Sequence, residues 1–317
     1  MEISVGKLFG LKSIPDEIKV QVDDQESDYT PRADTDYVFD RELVSDFLAW
    51  LHFAGMGDGL YLTGDTGAGK TSFVLQMASR MNRPVQHVVG HARLELPSLV
   101  GQHVIKKGEM VFVHGPLAIA VKEGHWFLVD EFDLMDPGTV AGLNPVLDGS
   151  PLVIPENGGE VVKPHPKFRF IATANSNGNG DETGLYQGIT RQNGALMDRF
   201  TMIRVEYPDR KVEEEIIMNA VPDMKSGIGK VVLKGMLDVA KEIRDLFRAG
   251  GASQMDVTFS TRTLVRWARF FTVVASRQDL DSPILYSLDR ALAFRANETA
   301  RTAIHEIVQR LVSKNTA

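Results

Sequence analysis

Eight consecutive residues, Gly64-Asp65-Thr66-Gly67-Ala68-Gly69-Lys70-Thr71, match the pattern G-x-x-x-x-G-K-[ST] and constrain the fold more than any other stretch of the chain. An apolar run, Leu60-Tyr61-Leu62, leads in, and Phe73, Val74, Met77, Ala78 and Met81 follow at helical spacing. That flanking predicts a strand, a tight loop and a helix. The glycines allow backbone N–H groups to close around a phosphate, and the helix start adds the positive end of its dipole. In such a loop Lys70 reaches the β- and γ-phosphates, and the Thr71 hydroxyl binds Mg²⁺. A nucleoside triphosphate is the expected ligand.

His125-Trp126-Phe127-Leu128-Val129-Asp130-Glu131 reads as a buried strand ending in two carboxylates, the first of them sixty positions after Lys70. Asp130 is expected to hold Mg²⁺ through water, and Glu131 to orient and activate the attacking water. Phe168–Asn175 reads as the next strand, with Asn175 at its end. A neutral donor there could fix the water or touch the γ-phosphate; the plainer alternative is a turn asparagine. Arg199, in Met197-Asp198-Arg199-Phe200, precedes a strand; a guanidinium spreads over phosphate oxygens well. Its alternative is a surface ion pair with Asp198 or a neighbour. Arg262, in Ser260-Thr261-Arg262, is the second arginine candidate, its alternative being a solvated helix residue.

Strands alternate with helices up to about residue 207, which predicts an α/β fold with a parallel sheet covered on both faces. Two hairpins interrupt the alternation, one around 103–113 and one around 151–163. Beyond Pro208-Asp209 the pattern is helical over 209–220, 231–249, 260–276 and 283–313, the last in one or two pieces. Three segments result: an N-terminal arm over 1–35, a nucleotide-binding core over 36–207 and a helical lid over 208–317. The arm reads as irregular over 10–36 and carries much of the net charge of −7, with ten acidic and four basic residues in positions 1–40. It is expected to be solvated and loosely packed, or else a docking surface for a basic partner. The overall balance lacks the positive field of a general nucleic-acid binder. The eight histidines, His87, His91, His103 and His114 among them, show no ligand spacing and read as packing or surface residues. The absence of cysteine excludes thiolate metal sites and disulfides and suits a reducing cytoplasm. No apolar run approaches the 18 residues of a membrane span.

The ordered set Gly64–Thr71, Asp130-Glu131, Asn175, Arg199 and Arg262 resembles the AAA+ ATPases. The two hairpins resemble the helix-2 insert and pre-sensor-1 hairpin of the clade that includes the MoxR-type ATPases. Several stretches look like the ATPase subunit of aerobic cobaltochelatases, the CobS type. They are Asp36–Arg41, Lys163–Arg169, Ala172–Asn175, Gly180-Asp181-Glu182-Thr183-Gly184-Leu185-Tyr186 and Met197–Arg199. The resemblance runs from about residue 30 to 275. It implies a P-loop AAA+ core with a C-terminal all-helical lid, ATP and Mg²⁺ as cofactors, and hydrolysis of ATP to ADP and phosphate. It also implies a homo-oligomeric, usually hexameric ring with ATP at each interface, Arg199 acting in trans and Arg262 as the lid's sensor. Family members commonly work with a von Willebrand A-domain partner.

Three functions are expected in order: a chaperone-like ring ATPase that remodels a partner protein, the motor subunit of a metal chelatase that loads a tetrapyrrole, and a nucleotide-gated scaffold or DNA-associated motor. The phosphate loop and the 191–196 region differ in detail from the cobaltochelatase pattern, and the chain after 275 matches it weakly.

Overall fold

In a computed structural model the described residues are 1–24, 27–55, 57–180, 188–249 and 255–316, with side chains described to residue 312. The Asp181–Tyr186 part of the cobaltochelatase-like stretch lies outside them. Contacts divide the chain into two units. The first holds residues 1–35, 39–65 and 70–205; the second holds 36–38, 66–69 and 206–317.

Five parallel strands form the first unit's central sheet, in the order Phe200–Arg204, Gly59–Thr63, Arg169–Ala174, Trp126–Asp130, Val85–Val89. Parallel strands are covered on both faces and therefore read as continuous apolar runs. Gly59–Thr63 is buried at all five positions. The register places Thr63 opposite Ala174, and Ala172 opposite Val129. The carboxyl ends of the phosphate-loop strand, the Asn175 strand and the Asp130 strand therefore lie side by side. Ligands of open α/β sheets bind at this edge.

An aromatic cluster fixes that edge from below. The Phe132 ring lies 6.0 Å from Tyr61, 6.3 Å from Phe170 and 5.7 Å from Phe200, reaching three of the five strands. Phe132 is fully buried, so it pins the chain between Glu131 and Asp133. The two predicted hairpins are present as Gly101–Lys106 with Glu109–His114, and Leu152–Ile154 with Glu160–Val162. They are tied together where His114 Nε2 meets Glu160 Oε2 at 2.7 Å. Their outer faces leave Ile105, Met110, Val153 and Val161 more than half exposed.

The acidic N-terminal segment departs from the loose arm expected of it. Glu2–Ser4 pairs antiparallel with Lys19–Gln21, and Val5–Phe9 is a short helix with Val5 and Phe9 buried. Several of its carbonyls are bonded to the rest of the unit. Gln76 donates to the Arg32 carbonyl, Arg80 to that of Asp34, and the Val85 amide to that of Tyr29. Asp23 pairs with both Arg83 and Lys167 at 2.9 Å. These bonds reach dozens of residues along the chain and outweigh the local polar composition.

The second unit is helical: Arg210–Ala220, Gly227–Ala249, Thr261–Val274, Pro283–Ala291 and Glu298–Thr316. The last predicted helical stretch is two pieces. Trp267, Phe259, Leu233, Met236, Leu288 and Ile304 fill its core. Arg244 is buried there and donates through two nitrogens to Glu213 at 2.9 and 2.6 Å and through Nε to the Phe259 carbonyl. Thr261 gives Glu213 a further hydrogen bond, and the guanidinium stacks over Tyr207 at 4.2 Å.

Candidate active site

The phosphate loop leaves the central strand through Gly64, which only glycine can supply. Its φ is +147°, and a Cβ there would come within 2.0 Å of the Val205 carbonyl oxygen. Gly69 has φ +99° with open space where a Cβ would stand. The helix Lys70–Arg80 begins immediately after, buried through Phe73, Val74, Met77 and Ala78. A loop with these glycine conformations at a helix start suits a phosphate, since its N–H groups and the helix dipole both favour negative charge.

Lys70, 7% exposed, donates to the carbonyls of Gly64 at 2.7 Å and Asp65 at 3.1 Å, and to Asn175 Oδ1 at 2.9 Å. Thr71 Oγ1 donates to Asp130 Oδ1 at 2.7 Å, and Thr173 donates to the same oxygen. Asn175 Nδ2 donates to Glu131 Oε2 at 2.8 Å. Lys70, Asn175 and Glu131 therefore form one chain of hydrogen bonds, with the Thr71–Asp130 pair beside it. Thr71 and Asp130 together offer a hydroxyl and a carboxylate, the hard oxygen donors that Mg²⁺ prefers.

The charges at this edge work against one another. Burial pushes the Lys70 ammonium down from its usual range, while Glu131, Asp133 and Asp130 oppose that shift. Burial raises the Glu131 carboxyl, and the like charges of Asp130 and Asp133 raise it further. A carboxyl moved up toward neutrality is a better proton acceptor for a reaction at physiological pH. Glu131 also sits in the left-handed region, at φ 54° and ψ 43°. That conformation costs a non-glycine residue about 1–2 kcal/mol. The Phe132 plug and the following turn hold it there.

Asp133 did not stand out in the sequence, yet it is completely buried beneath the site. Its Oδ2 accepts from the backbone N–H groups of Asn175 at 3.0 Å and Ser176 at 2.9 Å, which fixes the end of the Asn175 strand. Its Oδ1 has no partner, and burial raises its pKa. The spacing Glu131-Phe132-Asp133, one buried aromatic between two acids after a strand, was the signal available for it. His87, whose spacing suggests only packing or surface, has its Nε2 4.0 Å from Asp130 Oδ2.

The structure does not gather every candidate into this network. Arg199 stands apart, donating to both carboxylate oxygens of Asp148 (Nε at 2.6 Å, Nη2 at 3.1 Å) and through Nη1 to the Ala195 carbonyl. Its partner is Asp148 rather than the adjacent Asp198. Arg262 belongs to the second unit, exposed in the first turn of Thr261–Val274. Thr66, Gly67, Ala68 and Gly69 group with that unit by contacts.

Residues 59–200 match the model of an AAA domain of the dynein-related subfamily, and residues 213–311 match that of the CbbQ/NirQ/NorQ C-terminal region. The chain is 32% identical over 271 residues to the aerobic cobaltochelatase subunit CobS of a Sinorhizobium species, an alignment covering 84% of this chain and 79% of that protein. It is a MoxR/CobS-type AAA+ ATPase. An uncharacterized protein of Staphylococcus aureus strain USA300 is 27% identical over 259 residues, covering 80% of this chain and 90% of its own. A solved structure of a Thermotoga maritima RuvB mutant superimposes with a TM-score of 0.46 at 16% identity, covering 79% of this chain and 68% of that one. Among the described residues, no helix of this AAA+ chain is long and apolar enough to cross a membrane.

Proposed function

We propose that the chain hydrolyses ATP to ADP and phosphate, with Mg²⁺, and uses the cycle in an oligomeric ring to remodel a partner protein in the cytoplasm. The observation that carries this reading is the bonded series Lys70–Asn175–Glu131 beside Thr71–Asp130 at one sheet edge. Lys70 would exchange the Gly64 and Asp65 carbonyls for the β- and γ-phosphate oxygens of ATP. Thr71 and Asp130 would hold Mg²⁺, whose charge neutralises the phosphates. Glu131 would accept the proton of the attacking water as the γ-phosphoryl group leaves ADP, and Asn175 would orient Glu131 and the water.

Arg199 fits the role of a finger toward a neighbour's γ-phosphate. Its pair with Asp148 is partly exposed, so exchanging it for a phosphate costs less than breaking a buried pair. Arg262 is proposed as the sensor of the helical unit. A finger supplied in trans needs a neighbouring copy, and head-to-tail contacts that close give a ring, here proposed as a hexamer. The exposed Ile105, Met110, Val153 and Val161 give the hairpins apolar faces suited to a protein client. A von Willebrand A-domain protein is the proposed working partner.

A second reading is the motor subunit of a metal chelatase, favoured by the 32% identity to a cobaltochelatase subunit. A scaffold or DNA-associated role has less support, given the net charge of −7. Size exclusion with and without a non-hydrolysed ATP analogue tests the ring, and an unchanged monomer would count against it. Capture of partners on a Glu131→Gln bait in ATP separates the two readings. Recovery of a large chelatase subunit selects metal insertion; an A-domain protein with unrelated clients selects remodelling.

A further inference from the structure

At the opposite edge of the same sheet lies a groove of about 740 Å³, well within the size range of small-molecule sites. Its floor includes Trp126 and Arg169, the first residues of the two strands whose far ends carry Asp130 and Asn175. These strands are five and six residues long, so roughly 17 Å separates groove and phosphate edge. The groove therefore belongs to no part of the nucleotide site.

One wall is a face of the helix Arg41–Phe53. Val44, Phe47 and Trp50 bury into the unit, while Arg41, Ser45, Leu48 and His52, at helical spacing, line the groove. The facing wall is the N-terminal segment, through Val5, Ile14, Ile18 and Val20. The N-terminal wall is thus mainly aliphatic, and Leu48, Ala49 and Leu51 add apolar surface on the helix side.

The charged lining is predominantly positive. Lys19, Arg41, Arg83, Lys167 and Arg169 stand against Glu2 alone, in a chain whose net charge is −7. Asp23 answers Arg83 and Lys167. Among the described residues no carboxylate pairs with Arg169, whose bonds go to the carbonyls of Pro166 and Phe168. The Nε atoms of Arg83 and Arg169 are buried without a partner. Burial and the neighbouring Arg83 both push the Arg169 pKa down, and the charge of Asp58 opposes them only in part. A protein rarely holds a guanidinium against an apolar groove with only carbonyl partners, as Arg169 stands here.

We infer that this groove is a binding site for a small amphiphilic anion, an aliphatic body carrying a carboxylate or phosphate headgroup. The body would lie between Leu48 and the Val5–Val20 wall, and the headgroup beside Arg169 and Arg41. Arginine suits either headgroup, since its planar fork matches both carboxylate and phosphate oxygens.

The test is isothermal titration of the full-length chain, below micelle concentrations, with dodecanoate and dodecyl phosphate in separate arms. Dodecyltrimethylammonium and dodecyl maltoside serve as cationic and neutral controls of equal chain length. The expected result is one saturable site per chain for at least one anion, at least about tenfold tighter than for either control. The stronger arm identifies the headgroup. Arg169→Gln should weaken that binding roughly tenfold while ATP binding is retained. Arg41→Gln, at an exposed position, should weaken it in the same direction and covers the case in which Arg169→Gln does not fold. Absence of saturable anion binding, equal binding of the controls, or unchanged affinity in the folded variants would overturn the assignment.

Discussion

The helical unit and the phosphate edge of the sheet both hold charges away from water, but they do so in opposite ways. Arg244 and Glu213 satisfy each other completely: two parallel bonds, a carbonyl for Nε, a hydroxyl for Glu213 and an aromatic face beneath the guanidinium. At the sheet edge three acids crowd one lysine, Asp133 keeps an unpartnered oxygen, and Glu131 is held at positive φ. A saturated network has nothing left to offer a ligand and serves the fold. An unsaturated and strained one retains donors, acceptors and shifted protons for chemistry.

The largest stability effect should come from breaking the saturated pair. Arg244→Met leaves Glu213 buried and unpaired and should lower stability by about 3–5 kcal/mol in chemical denaturation. Adding Glu213→Leu should recover most of it, because a buried pair replaced as a whole is often neutral. A small loss in the single variant would erase the contrast between the regions. Asp133→Ala comes next. It orphans the N–H groups of Asn175 and Ser176, at a cost of about 1–3 kcal/mol, and should reduce turnover by loosening Asn175. Unchanged turnover would make Asp133 a purely structural residue.

Much of this contrast can be read from residue order. The strand–loop–helix flanking of Gly64–Thr71, the apolar run into Asp130 and the alternation of the hairpins are local, and local patterns follow the periods of helix and strand. The position of Asp133 is not local, since its partners lie 42 and 43 residues onward. The same holds for Asp148, 51 residues before Arg199. The acidic N-terminal segment misled for a related reason. Composition predicts solvation, but Gln76 closes on Arg32 and Asp34 across more than 40 residues, and no periodicity encodes that.

Acid–base behaviour sharpens the comparison at smaller amplitude. A carboxyl whose pKa is raised on folding binds its proton more tightly in the native state. Its contribution to stability is present below the unfolded value, here 4.5, and is lost as pH rises through the raised native value. Wild type should therefore lose stability relative to Glu131→Gln as pH climbs from 4.5 toward neutrality, followed by thermal melts across that window. A difference independent of pH would show that burial does not perturb Glu131. The smallest stability effect belongs to Arg199→Ala. The pair with Asp148 is partly exposed, so the melting temperature should stay within about 2 °C of wild type while turnover in the proposed ring is lost. Full turnover would remove Arg199 from the reaction.

The central claim, that the strained edge is where ATP is hydrolysed, rests most directly on Glu131. Equilibrium ATP binding and phosphate release should be measured side by side for wild type and Glu131→Gln, in Mg²⁺ and at matched protein concentration. The expected result is affinity within about threefold of wild type and release slower by at least about 100-fold, the share of a general base. Turnover within a few-fold of wild type would contradict it and place the proton acceptor elsewhere.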